Sequence, residues 1–158
     1  MSKYMVGDMI PEGTSGVWAV ERFTVSAEDA QFEALRALFS SARGRGVPEG
    51  TYTRLTRRGS VIMSDTPNEI RDHLPFIYKA RGRVLIAGLG IAMVARAVLE
   101  KPEVEHVTII DLSPDVIALV APALKAKYGD RVEVICADIL TWKPPKGARW
   151  DAAWYDIW

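Results

Sequence analysis

Residues 83–99 read RVLIAGLGIAMVARAVL. Four apolar residues, Val84 to Ala87, run directly into Gly88-Leu89-Gly90, and apolar residues then recur at helical spacing from Ile91 to Leu99. A short, unbroken apolar run has the signature of a strand buried on both faces, and a glycine pair between such a strand and a helix marks a tight turn. The same alternation continues downstream. HVTIID (106–111) reads as a second strand, Ser113-Pro114 as the cap and first position of a helix over DVIALVAPALKAKYG (115–129), RVEVICAD (131–138) as a third strand, and WDAAWYDIW (150–158) as a fourth. Strands alternating with helices imply an α/β domain with a parallel sheet covered on both faces. Ligands of such sheets bind beyond the carboxyl ends of the strands.

That rule selects the candidate residues. Gly88 and Gly90 follow the first strand, Asp111 ends the second, Asp138 follows the third and Asp156 ends the fourth, so all lie at one edge of the sheet. Three acids there, with no lysine or arginine on the same loops, suit a cationic or hydroxyl-rich ligand. A phosphate-cradling loop would need Gly-Lys-Ser/Thr, which is absent. A dinucleotide fingerprint G-x-G-x-x-G/A would place its last small residue at Met93. Taken as G-x-G-x-G, the turn is Gly88, Gly90 and Ala92, which nearly fits the nucleoside turn of S-adenosylmethionine enzymes. Asp111, 23 residues after Gly88, is placed for ribose hydroxyls in either kind of site. Asp138 stands after the third strand, where the S-adenosylmethionine enzymes that this turn resembles hold the adenine amino group.

Upstream, residues 1–16 read as a loosely docked arm and GVWAVERFTV (16–25) as a strand. Ser26 caps a helix with Glu28 and Asp29 in its first turn and Phe32, Leu35, Leu38 and Phe39 on one face. TYTRLT (51–56) and SVIMS (60–64) flank Arg57-Arg58-Gly59 as a hairpin, and Thr66-Pro67-Asn68-Glu69 forms a capping box that opens a helix to about Ala80. These elements make an N-terminal α+β extension over residues 1–80, followed by a nucleotide-binding domain over 81–158.

Composition narrows the function classes. The chain has 158 residues, 49% hydrophobic and 25% charged, with formal net charge zero, so no global charge draws it to nucleic acid or an anionic membrane. No apolar run approaches the ~20 residues of a membrane span. A single cysteine, Cys136, excludes an internal disulfide framework and fits a cytoplasmic location. Few histidines and one cysteine leave no metal site and no thiol nucleophile to be expected.

Over about residues 60–158 the sequence resembles the class I S-adenosylmethionine-dependent methyltransferase superfamily, and within it the spermidine synthase branch. VIMSDTPNEIRDHLPF (61–76) is similar to that branch's segment before the first strand, a Y-H-E-x-x-x-H pattern followed by proline, matched here by Pro67-Asn68-Glu69 and His73. VLIAGLGIA (84–92) stands where the family has G-G-G-D-G, VTIIDLSPDVIAL (107–119) matches the ribose-binding strand and the helix after it, and WDAAWYDIW resembles F-D-x-I-x-x-D. The resemblance implies a Rossmann-like sheet of strand order 3-2-1-4. It also implies an adenosyl ligand, S-adenosylmethionine or its decarboxylated form, held by Gly88, Leu89, Gly90, Asp111, Leu112, Asp138 and Ile139. Glu69 and His73 would contact the acceptor substrate, and Asp156 would be the catalytic base. The chain departs from the pattern at Ile91 (family Asp), Ala92 (family Gly) and Pro67 (family Tyr), and it ends at Trp158, where family members continue.

Three functions follow as expectations: methyl transfer to an unidentified small-molecule acceptor, aminopropyl transfer to an amine, or nucleotide binding without chemistry in a structural or interaction module. Plainer roles stand beside the site roles. Glu69 serves the capping box, His73 is a packed histidine, Cys136 belongs to a buried strand, and Arg54, Arg57 and Arg58 form a solvated hairpin tip. Trp150, Trp154 and Trp158, spaced by four, fall on one face of a strand or one stripe of a helix. As a strand, the segment would leave three rings uncovered, which implies a homo-oligomer that buries the C-terminal segment against another subunit.

Overall fold

The structure, a computed structural model, describes residues 2–39 and 46–156. Two four-stranded sheets build it. The first is antiparallel, with order β1 (Gly13–Ser15), β2 (Trp18–Val25), β3 (Gly50–Arg57) and β4 (Ser60–Ser64); α1 (Ala27–Phe39) follows β2. The second is parallel, with order β7 (Val132–Cys136), β6 (Val104–Asp111), β5 (Gly82–Ala87) and β8 (Ala152–Tyr155). α2 (Pro67–Lys79) leads into β5, α3 (Met93–Leu99) links β5 to β6, and α4 (Pro114–Tyr128) links β6 to β7. The chain is thus a mixed α/β, Rossmann-like arrangement with an antiparallel sheet ahead of it.

The residues chosen by periodicity form the core. Val84, Ile86, Val107 and Ile109 are at most 2% exposed and join one cluster with Ile70 and Ile77 of α2, Met93 and Val98 of α3, and Val120 and Leu124 of α4. Ser113 caps α4, its hydroxyl accepting from the Val116 amide at 3.3 Å, with Pro114 at the first helical position. Ser26 likewise accepts from the Asp29 amide at the start of α1. Arg58 (φ 51°) and Gly59 (φ 79°) both take positive φ, as the type I′ turn of a two-residue hairpin requires.

Several expectations are corrected. The first 16 residues are not loosely docked: Val6 and Ile10 are fully buried, and β1 pairs with β2. The guanidinium of Arg96 on α3, itself nearly buried, binds the Met5 carbonyl at 2.5 Å and pairs with the Asp8 carboxylate, clamping the arm to the helix. That hydrogen bond holds the Asp8 carboxyl below the ordinary aspartate range. A carboxyl lowered in the folded state adds stability above its unfolded pKa and loses that contribution as pH falls through the folded value. Asp8→Asn is therefore expected to flatten the acid limb of a melting-temperature profile below about pH 4, and an unchanged limb would mean that the pair adds nothing.

The capping box at α2 does not form. Thr66 makes no side-chain cap bond, and Glu69 instead accepts from the Ser64 amide (2.7 Å) and hydroxyl (2.7 Å), tying the helix to the end of β4. Phe32 and Leu35 on α1 are more than half exposed, so the apolar face expected there is not buried at these positions, while the Leu38 and Phe39 side chains lie outside the described residues. Cys136 is exposed rather than core, because it ends β7 at the open edge of the sheet.

Trp150 and Trp154 do not share a strand face. β8 covers only residues 152–155, so Trp150 precedes it and strand alternation does not extend to that position. Trp154 stacks on Phe76 of α2 (5.1 Å, 29°) and meets His73 edge-on (5.4 Å, 81°). Trp150 packs on Trp142 (5.8 Å) and directs its ring nitrogen to the Thr108 hydroxyl at 3.3 Å. Trp158 lies outside the described residues. Both described rings are half-buried against rings of the same chain.

Candidate functional site

A cavity of about 630 Å³ lies at the carboxyl edge of the parallel sheet, within the size range of small-molecule sites. Gly88, Leu89, Gly90, Asp111, Leu112, Asp138, Ile139 and Asp156 all line it. The fold brings them together because parallel strands release their connections at the same end.

The turn after β5 is built by backbone geometry. Gly88 (φ 101°) and Gly90 (φ 50°) sit in the left-handed region, and a Cβ on Gly88 would collide with the Asp156 carbonyl oxygen. Ala92, at the third small position, also takes a left-handed conformation (φ 60°), which costs an L-residue with a Cβ about 1–2 kcal/mol. The surrounding packing holds it there, since Ala92 is 1% exposed in the core cluster.

Asp111 joins the two loops. One carboxylate oxygen accepts from the Leu89 amide on the turn (2.7 Å), the other from the Ser113 amide at the start of α4 (2.8 Å). A carboxylate has about four acceptor positions, so each oxygen of this cavity-lining residue retains acceptor capacity. Asp138 accepts from the Leu140 amide (2.9 Å), and the exposed side chains of Leu112 and Leu140 line the same cavity.

Asp156 is set by the end of β8. Its amide donates to the Ala87 carbonyl at 2.9 Å, so the residue lies directly beside Gly88. His73 Nε2 is 3.9 Å from Asp156 Oδ2. His73 does not line the cavity; it is buried behind Trp154, and its Nδ1 has no hydrogen-bond partner. Glu69 is farther removed, bound to Ser64 as described. The structure therefore unites the turn and the three acids, places His73 behind Asp156, and leaves Glu69 outside the cavity.

Sequence reasoning missed the other wall. Trp18, Leu55, Arg57, Ile62 and Met63, all from the antiparallel sheet, close the cavity from the N-terminal side. Arg57 lies over the Trp18 ring (5.4 Å), so a cation joins the three acids after all. Met63 reaches the glycine turn itself, where its sulfur accepts from the Ile91 amide at 3.4 Å. Spacing gives no warning of these contacts, because they arise from how one sheet docks on another.

No protein-family model matches the chain. It is similar to two curated proteins of Ralstonia nicotianae (strain ATCC BAA-1114 / GMI1000), polyamine aminopropyltransferase 2 and polyamine aminopropyltransferase 1. Identity is 37% over 117 residues in both, covering 66% of this chain and 23% and 22% of theirs. The chain thus spans about a quarter of the length of these relatives. Among solved structures, spermidine synthase from Thermotoga maritima matches with a TM-score of 0.45 at 17% identity, over 82% of this chain and 41% of that one. The 23S rRNA methyltransferase ErmE matches with a TM-score of 0.37 at 25% identity, over 51% and 32%. The chain resembles the spermidine synthase branch in sequence, as its motifs implied.

Proposed function

We propose that this chain forms the donor-binding part of a transferase that uses an adenosyl sulfonium, with aminopropyl transfer to an amine as the reaction. Asp111 carries the reading: one carboxylate bridges the glycine turn and the start of α4 and still faces the cavity with acceptor capacity to spare. The residues fit an adenosyl group. Asp111 takes ribose hydroxyls, Asp138 takes the adenine amino group between Leu112 and Leu140, and the turn lets the backbone approach closely. The names of the two curated relatives favour aminopropyl over methyl transfer.

A bound sulfonium supplies an electrophilic carbon without a metal. The chain's own part is alignment and proton handling. The cavity walls exclude water and set the direction of attack. An amine acceptor is cationic at neutral pH, with a pKa near ~10, and must lose a proton before it attacks. Asp156, held beside the turn by the β5–β8 pairing, orients the amine and takes up that proton. His73 stays behind it as a positioning residue.

Calorimetric titration with 5′-methylthioadenosine, decarboxylated S-adenosylmethionine and NAD tests the reading. Asp111→Ala is expected to weaken the adenosyl ligands about tenfold or more. Unchanged affinity would reject the ribose site, and NAD binding more tightly than the adenosyl ligands would reject the class.

A further inference from the structure

We propose that the acceptor is an amine that also carries a carboxylate, with the carboxylate held by the Arg57 guanidinium while the amino end meets Asp156. The inference rests on the adenosyl reading above and names the class of its acceptor. Three acids line the cavity, Asp111, Asp138 and Asp156, together with the cation of Arg57. Ribose, adenine and the reacting amine engage each acid once. Among the described residues no fourth acid lines the cavity, so a diamine would bring in a second ammonium without a counter-charge. Glu69, the acid expected at the acceptor, is bound to Ser64 and stands outside. The wall contributed by the antiparallel sheet is Trp18, Leu55, Ile62 and Met63 with Arg57, apolar apart from one positive charge. An ammonium is repelled there and a carboxylate is attracted.

Local structure prepares Arg57 for an anion. The residue ends β3 and pairs across the ladder with Trp18 of β2, and its guanidinium lies over the Trp18 ring, 5.4 Å from the centroid. Trp18 is half-buried against the core cluster, so the guanidinium rests on a supported face. A guanidinium on a ring keeps the edge of its N–H fork open to two parallel hydrogen bonds from one carboxylate. The other two arginines of this sheet already have acceptors. Arg54 pairs with Glu21 at 2.9 Å, and Arg22 donates to the Gly7 and Ile10 carbonyls. The Arg57 side chain contacts the Trp18 ring and has no carboxylate or carbonyl partner among the described residues. In the reaction the amine nitrogen gives up a proton to Asp156 and attacks the propyl carbon on sulfur. A C–N bond forms, the C–S bond breaks, and its electron pair stays on sulfur as a neutral thioether. The acceptor's carboxylate takes no part in these bonds and fixes only the far end of the molecule, which makes Arg57 a specificity-determining residue.

Calorimetry on the full chain saturated with 5′-methylthioadenosine tests this with three kinds of amine of equal chain length: an ω-amino carboxylate, an α,ω-diamine and an unbranched monoamine. The wild type is expected to bind the amino carboxylate about five- to tenfold more tightly than either of the others, a modest factor because Arg57 is exposed and water screens part of the attraction. Arg57→Gln is expected to remove that advantage while leaving monoamine affinity within about threefold. Arg57→Lys, which keeps the charge and loses the fork, is expected to retain part of it. An amino carboxylate that binds no better than the diamine or the monoamine overturns the proposal, as does an advantage that survives Arg57→Gln. Arg57→Gln that weakens S-adenosylhomocysteine and not the amino carboxylate assigns the cation to a carboxylate on the donor and overturns it as well. Failure of 5′-methylthioadenosine itself to bind the wild type, by contrast, defeats the adenosyl reading on which it rests.

Discussion

Asp156→Asn is expected to lower turnover with a primary amine acceptor by about 10²- to 10⁴-fold, the usual range for loss of a positioned general base. The substitution is nearly isosteric, so the amide of residue 156 still pairs with the Ala87 carbonyl and the turn at Gly88 keeps its shape. The substitution leaves Asp111 and Asp138 in place, and 5′-methylthioadenosine affinity is expected to stay within about threefold. The effect therefore belongs in the rate and not in donor binding. Initial rates with decarboxylated S-adenosylmethionine and a primary amine, beside calorimetry on the same preparations, check both halves. Wild-type turnover in the variant would remove Asp156 from the base role and leave the C-terminal motif as a feature of the fold alone.

The largest structural effect is expected at Asp65, which has no part in the cavity. Its carboxylate is fully buried, accepting from the Val6 amide at 2.8 Å and from the Thr53 amide at 2.6 Å. It thereby joins the N-terminal arm, β3 and the end of β4. Asp65→Ala would strand two buried N–H groups, each costing about 1–3 kcal/mol, for a loss of about 2–6 kcal/mol against a total stability on the order of 5–15 kcal/mol. Asp65→Asn keeps one acceptor oxygen and is expected to lose about half as much. Urea denaturation monitored by tryptophan fluorescence measures both. A loss under about 1 kcal/mol for the alanine variant would show that water or a shifted arm satisfies the two amides.

The candidate site was legible where chemistry coincides with strand ends. Gly88, Gly90, Asp111, Asp138 and Asp156 each end or follow a strand-like run, and all five line one cavity. The partner of Glu69 is not legible in the sequence, because a capping box and a helix-to-strand tie use the same residue type, and only the approach of Ser64 decides between them. The exposure of Cys136 is not legible either, because an apolar strand pattern does not reveal which strand lies at the edge.

What the sequence by itself determined is the local periodicity of the chain. Period-two and unbroken apolar runs set the strands, period-3.6 runs set the helices, and glycine, proline and serine set the turns and caps between them, because these preferences act within a few residues. Tertiary structure alone decided how the first 80 residues meet the parallel sheet. The burial of Val6 and Ile10, the clamp of Arg96 on Asp8, the split of Trp150 from Trp154 and the seat of Met63 on the glycine turn are contacts between residues far apart in the chain. They are fixed by which surfaces exclude water from each other most completely, and no spacing within either partner encodes that choice.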